Sequence, residues 1–240
     1  DILSRKPMPK ELHLLITHTH WDHIQGFPFF APTHVPDIQI HLYGTIKGDD
    51  SRYQLLSGQM SSAYFPVGFG DLGARIVSDD LGSGVKDVNG VTVKSFPLNH
   101  PGGCHGYSFE KDGKKIVYMT DNEMEPQEGD TFPDPYHEGK LRKVPPALVE
   151  IAKGADLLII DSQYDDHEYL TKKGWGHSSC NTTTDLAIQA DVGSVALFHH
   201  DPESTDTDVE ARVESCRMRI EIFKGKPTIF AAREGVELKF

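Results

Sequence analysis

Cysteine is scarce in this chain: Cys104, Cys180 and Cys216 are the only three in 240 residues, and no two form a CxxC pair. That excludes a disulfide framework and a Cys-rich zinc site, and makes a reducing cytoplasm the expected compartment. Long apolar runs are missing too. No stretch approaches the roughly 20 residues needed to cross a bilayer, so no membrane contact is expected. The opening "DILSRKPMPKELHLL" has neither an apolar h-region nor a small-residue cleavage site. Basic residues are outnumbered, 24 Lys and Arg against 36 Asp and Glu, for a formal charge of -12. Gripping a long phosphate backbone needs clustered cations, so a long nucleic acid is not the expected partner. A small anionic substrate, neutralised locally by metal cations, is. Internal repeats, low-complexity tracts and an interdomain linker are also lacking, which leaves one domain over residues 1–240. With 38% hydrophobic and 25% charged residues, the composition is that of an ordinary globule.

What the chain does have is histidine, 13 in all, unevenly spread. "THTHWDHIQG" (Thr17 to Gly26) puts His18, His20, Asp22 and His23 directly after the apolar run "LHLLIT". In extended chain, side chains two apart point to the same side, so His18 and His20 can ligate one ion. Asp22 and His23 follow where the chain bends away and can face a second. Burying four such groups without a cation would leave several polar groups unpaired. Imidazole with carboxylate and no thiolate suits zinc, manganese or iron.

The remaining segments place similar groups at other strand ends. "ELHLLIT" and "DIQIHLYG" read as strands. Residues 50–80 read as a short helix followed by a Gly/aromatic loop long enough to wall a pocket. Hairpins are expected at Asn89-Gly90 and Asp112-Gly113. Residues 122–143 read as a loop and "PPALVEIAKGA", "NTTTDLAIQADVG" and "DTDVEARVESCRMRIEIFKGK" as helices. "DLLIID", "SVALFHH", "TIFAA" and "GVELKF" read as strands. Early hairpins followed by alternating strands and helices imply a mixed α/β sandwich. "SFPLNHPGG" stops at His100, "IVYMTD" at Asp121, "DLLIID" at Asp161 and "VALFHH" at His199 and His200, while "GWGHSS" offers His177 from a Gly-rich loop. Strand after strand ending in His or Asp is how a site is built along one edge of a sheet.

Taken in order, "HTHWDH", "NHPGG", "TD", "GWGHSS" and "LFHHDP" resemble the metallo-β-lactamase superfamily, and within it the phosphodiesterase-like branch related to ribonuclease Z. The resemblance runs from about Leu14 to Asp201 and implies an αββα sandwich. It implies that His18, His20 and His100 hold one divalent ion, that Asp22, His23 and His199 complete a second site, and that Asp121 bridges. His177 matches the family's histidine near the scissile phosphate, and Asp161 the acidic residue supporting it. Asp22, His177 and Asp161 are the catalytic candidates.

The reaction implied is hydrolysis of a small or nucleotide phosphodiester by a hydroxide bridging two divalent ions, zinc with manganese or iron as alternatives, about 3.5–4 Å apart. A lactone, thioester or β-lactam hydrolase on the same site, and a non-catalytic metal-binding scaffold, are the alternatives. Three departures from the family stand out. The strands that usually precede the "HxHxDH" strand are not in this sequence, so the expectation is a sheet completed by a leading segment or by a partner chain, a homo-oligomer being one such arrangement. No glycine/proline-rich arm of the tRNA-gripping kind is visible. Cys104 and His105 stand where relatives usually carry small or apolar residues.

Overall fold

The computed structural model describes residues 2–4, 6–44, 51–79, 81, 85–134 and 136–239, with backbone alone at 51–53. Contacts within the chain divide it into two units, Asp1–Gly84 and Val85–Phe240.

The first unit is a three-stranded sheet ordered β1-β2-β3, from β1 (Glu11–Ile16), β2 (Gln39–Gly44) and β3 (Arg75–Ser78). All three are parallel, with Glu11 opposite Gln39 and Gln39 opposite Arg75. Parallel neighbours require crossovers rather than tight turns. The first contains the short α1 (Trp21–Ile24) and two 3-10 turns at Phe27–Phe29 and Ala31–His34, and the second contains α2 (Ser51–Gln59). Gly26, Pro28 and Pro32 fall in or beside those short turns and keep the first crossover from becoming one long helix. Leu14, Ile16, Leu42 and Ile76, alternate residues of their strands, pack against Ile24, Phe27, Leu56, Met60 and Phe69 from the crossovers. β3 lies inside the stretch expected to be loop. The first and last residues of that stretch, Asp50 and Asp80, lie outside the described residues.

The second unit is a seven-stranded sheet ordered β10-β9-β8-β7-β6-β5-β4. β4 (Val85–Val88), β5 (Val91–Leu98), β6 (Cys104–Lys111) and β7 (Lys114–Met119) form an antiparallel meander. Its two tight turns are those anticipated, Asn89-Gly90 with φ 52° and 78° and Asp112-Gly113 with φ 50° and 74°. Both central residues at positive φ give the turn whose twist matches the strands. From β7 onward the chain alternates helix and strand: α3 (Pro146–Ala152), β8 (Leu157–Asp161), α4 (Asp166–Thr171), α5 (Cys180–Gln189), β9 (Ser194–Phe198), α6 (Asp206–Ile222) and β10 (Thr228–Ala231). β7, β8, β9 and β10 pair in parallel. Val117, Met119, Leu158, Ile160, Val195 and Leu197 pack beneath Leu148, Leu186, Val213 and Ile220 of the helices. "GVELKF", expected as a strand, is not one over residues 235–239: Gly235 turns at φ 78° and Val236 and Leu238 are exposed, while Phe240 lies outside the described residues.

The irregular segment between β7 and α3 is anchored by two arginines whose side chains are wholly buried. Arg142 makes a bidentate pair with Asp166 at 3.0 and 2.5 Å, and also donates to Thr182 Oγ1 at 2.9 Å. Arg219 of α6 makes a bidentate pair with Asp185 at 2.5 and 2.8 Å and reaches Asp134 at 2.9 Å. Buried charges survive only when paired and hydrogen-bonded. These pairs therefore tie the segment's path to α4, α5 and α6. Among the described residues no helix is long and apolar enough to cross a membrane.

Candidate metal centre

The second sheet's topology gathers the later candidates. β5 and β7 are both antiparallel to β6, so they run the same way, and β8 and β9 are parallel to β7. The C-terminal ends of β5, β7, β8 and β9 consequently share one edge. His100 follows β5 by two residues, Asp121 follows β7 by two, Asp161 ends β8, and His199 follows β9 directly. His177 joins them from the loop before α5, which Ser179 caps through its hydroxyl.

Asp121 is buried and His199 half-buried, and both sit in the left-handed region, at φ 53° and 57°. Asp121 Oδ1 accepts the Thr120 hydroxyl at 2.6 Å. Its Oδ2 lies 3.6 Å from His100 Nε2 and 3.5 Å from His199 Nε2. Meanwhile His100 Nδ1 donates to the Gly176 carbonyl at 3.0 Å, so in the neutral ring Nε2 carries a lone pair toward the carboxylate. Lone pair facing carboxylate is repulsive unless a cation sits between them. Two ligand atoms each about 2.1 Å from one tetrahedral ion are about 3.4 Å apart, close to both separations. The site therefore fits a divalent ion. His199 rather than its neighbour His200 is the one directed at Asp121. For His200, burial first and then the charge of Arg212 lower the pKa.

His177 Nδ1 is 2.6 Å from Oδ2 of fully buried Asp161, whose other oxygen accepts Gln163 N at 3.2 Å and Ser178 N at 3.4 Å. The His177 ring stacks on His199 at 4.8 Å and meets His100 edge-on at 5.1 Å. Two groupings with ligand atoms within 4.8 Å result: His100, Asp121 and His177, and Asp161, His177 and His199.

Glu123 was not among the candidates, yet it shapes this loop. Its buried carboxylate accepts Tyr169 Oη at 2.8 Å, Gly174 N at 2.9 Å and Gly176 N at 2.8 Å. That fixes Gly176, whose carbonyl fixes His100. Ser178 adds a link, donating to Asn122 O at 2.6 Å and accepting Met124 N at 2.9 Å. No local signal marks Glu123, because its partners lie 46 to 53 residues away.

In the first unit, the four motif groups follow β1. His18 lies two residues past β1, and His20, in extended conformation, precedes α1, whose first turn holds Asp22 and His23. His18 Nε2 is 3.0 Å from His20 Nδ1, and the His18 ring is 4.2 Å from that of His23. Two imidazole nitrogens that close need a proton or a shared cation between them. Asp22 Oδ2 is 3.1 Å from His23 Nε2.

The family profile described as a β-lactamase superfamily domain matches residues 3–200, which span both units, and this chain belongs to that superfamily. Among curated proteins it is similar to ribonuclease Z of Haloarcula marismortui, 25% identical over 78% of this chain and 68% of that one. It is also similar to ribonuclease Z of Lactococcus lactis, 26% identical over 83% and 74%. Among solved structures it resembles the metallo-β-lactamase fold protein YhfI from Bacillus subtilis at TM-score 0.56 and 15% identity, over 91% of this chain and 74% of that one. Human tRNase Z, short form, is similar at TM-score 0.55 and 19% identity, over 93% and 77%. The fold is the α/β metallo-β-lactamase fold, and the protein is a metal-dependent hydrolase. One expectation is corrected by these comparisons. A small anionic substrate with long nucleic acid set aside conflicts with relatives that are ribonucleases by name, one solved neighbour being a tRNase. A net charge of -12 sums the whole chain and does not describe the field at a metal site.

Proposed function

We propose that this chain, as one metallo-hydrolase domain in the cytoplasm, hydrolyses phosphodiester bonds in RNA with two divalent metal ions. The observation that carries the reading is the convergence of His100, Asp121 and His199 beside the His177–Asp161 pair, in a chain whose relatives are named ribonucleases. His18, His20 and His100 would hold one ion and Asp22, His23 and His199 the other, with Asp121 shared. The order of the motifs along the chain and the family membership support that division. The donor set suits zinc and admits manganese or iron. When bound, such ions neutralise charge on the phosphate oxygens and make water acidic enough to attack at neutral pH.

The chain's own residues would do the rest. Asp121, fixed through Oδ1 by the Thr120 hydroxyl, presents Oδ2. Asp161 is a positioning residue: by accepting from His177 Nδ1 it sets the tautomer and turns Nε2 toward substrate. His177, protonated, then donates from Nε2 to the leaving oxygen. Asp22, in the first turn of α1, would help hold the second ion and orient the attacking water.

Metal content and turnover test this directly. Chain purified and loaded with zinc or manganese is offered a 3′-extended RNA, bis-p-nitrophenyl phosphate, a lactone and a β-lactam. Two ions per chain with cleavage of both phosphodiesters is the expected result. Bound metal with turnover of the lactone or β-lactam alone overturns the reading.

A further inference from the structure

The chain has two tryptophans, and both are displayed on the surface within a candidate-site motif. Trp21, 66% exposed, stands between His20 and Asp22, and Trp175, 58% exposed, stands two residues before His177. Tryptophan is highly buried on average, since hiding its large apolar surface is favourable. Trp175 is not exposed because its loop is loose. Gly174 and Gly176, at φ 82° and 92°, flank it, and both their amides donate to Glu123. The backbone on either side is therefore pinned while the indole is turned outward. Lys172 Nζ lies 4.3 Å from the Trp175 ring centroid and 6.0 Å from that of Tyr164. Tyr164 in turn meets His177 edge-on at 6.0 Å. Contacts thus link the proposed proton donor, through buried Tyr164 and the Lys172 ammonium, to the exposed Trp175.

We propose that Trp175 is a base-stacking residue that takes the nucleobase of a nucleotide next to the scissile phosphodiester, with Lys172 contacting that nucleotide's phosphate. This rests on the RNA reading above. A rigid indole paired with a cation is the chemistry of single-stranded nucleic-acid platforms, where every base offers a π-face and every link an anion. It also answers how a chain of charge -12 holds RNA: by stacking and a local cation, not by a broad basic face.

The test is a binding cycle on fluorescently labelled RNA oligonucleotides that carry a single abasic residue, scanned along the positions flanking the cleavage site, with Kd read by anisotropy on the metal-loaded chain. In the unaltered protein one position should show a penalty of about 5- to 150-fold, the range for loss of one stacked base. Trp175→Ala should weaken binding of intact RNA by a similar factor and erase the abasic penalty at that position alone. Trp175→Phe should restore most of both. Lys172→Met should reduce the salt dependence of log Kd by about 0.7, the value for one single-strand phosphate contact. An abasic penalty of the same size in Trp175→Ala, or none at any position, overturns the proposal and marks the exposed indole as a contact for something other than RNA. Turnover of bis-p-nitrophenyl phosphate, which has no base to stack, is followed in parallel in the unaltered protein. Its absence beside a positive binding cycle would sink the hydrolase reading and leave the stacking role standing.

Discussion

Glu123→Gln is the sharpest probe of how the candidate centre is held. The change keeps size and shape and swaps one oxygen for an NH2. With the amide oxygen in the Oε1 position, the contacts to Tyr169 Oη and Gly174 N survive, and the new NH2 faces the Gly176 N–H that Oε2 used to accept. Two donors then oppose each other in a buried place. One buried donor left unsatisfied costs about 1–3 kcal/mol. At about 2–4 °C per kcal/mol for a chain of this length, melting should fall by about 2–12 °C. The consequence for the site is separate. Gly176 carries the carbonyl that accepts from His100 Nδ1, so metal affinity should drop by about 10- to 100-fold, as when a ligand's supporting partner is removed. Calorimetry of the metal-free protein reads the first effect and competition against a chelator the second. Glu125→Gln, the same charge change at an exposed residue two positions on, is the control and should stay within about 0.5 kcal/mol. If the two variants melt and bind metal alike, Glu123 does not organise the centre.

Much of this was legible because strand ends and tight turns are local. The Asn89-Gly90 and Asp112-Gly113 turns need positive φ, which those residues supply, and fixing them fixes the meander that brings β5 and β7 parallel. Once four strands run the same way, a His or Asp just past each one must share an edge, so His100, Asp121, Asp161 and His199 could be grouped from sequence. Other features lie beyond local reading. β3 has four residues and its status depends on pairing with β2, not on its own pattern. α4 was legible and was missed: Asp165 accepts from Glu168 N while Glu168 reaches back to Asp165 N, a capping box spelled out as "DDHE". The tail "GVELKF" alternates like a strand, but alternation without a partner strand does not make one. Net charge misled for a physical reason. Asp22, Asp121, Asp161 and Glu123 all count toward -12, although the last three are buried and Glu123 is consumed by Tyr169 and the loop that carries His177.

Three further outcomes are expected. Gly176→Ala should cost both fold and metal, because a Cβ there would lie 2.1 Å from His100 Nδ1 and the residue sits at φ 92°; a variant that binds metal like the parent would show that the loop yields. His177→Ala should keep its metals and slow RNA cleavage by about 10²–10⁴-fold while sparing activated nitrophenyl esters, whose leaving group needs little protonation. Equal slowing of both, or loss of metal, would refute a proton donor at that position. Acid should act through Asp166. Burial raises its pKa, but hydrogen bonds and charge from Arg142 outweigh that and hold it at about 2, below the ordinary 3.8. A depressed folded pKa gives stability that is fully present above about pH 4 and is lost as pH falls toward 2, worth roughly 2 kcal/mol. Urea unfolding of the parent should therefore show that loss between pH 4 and 2. Asp166→Asn should lack this share of the acid dependence and start about 3–5 kcal/mol less stable at pH 7, because Arg142 stays buried without its counter-charge. Parallel acid slopes for parent and variant over that window would mean that the pair is not what acid breaks.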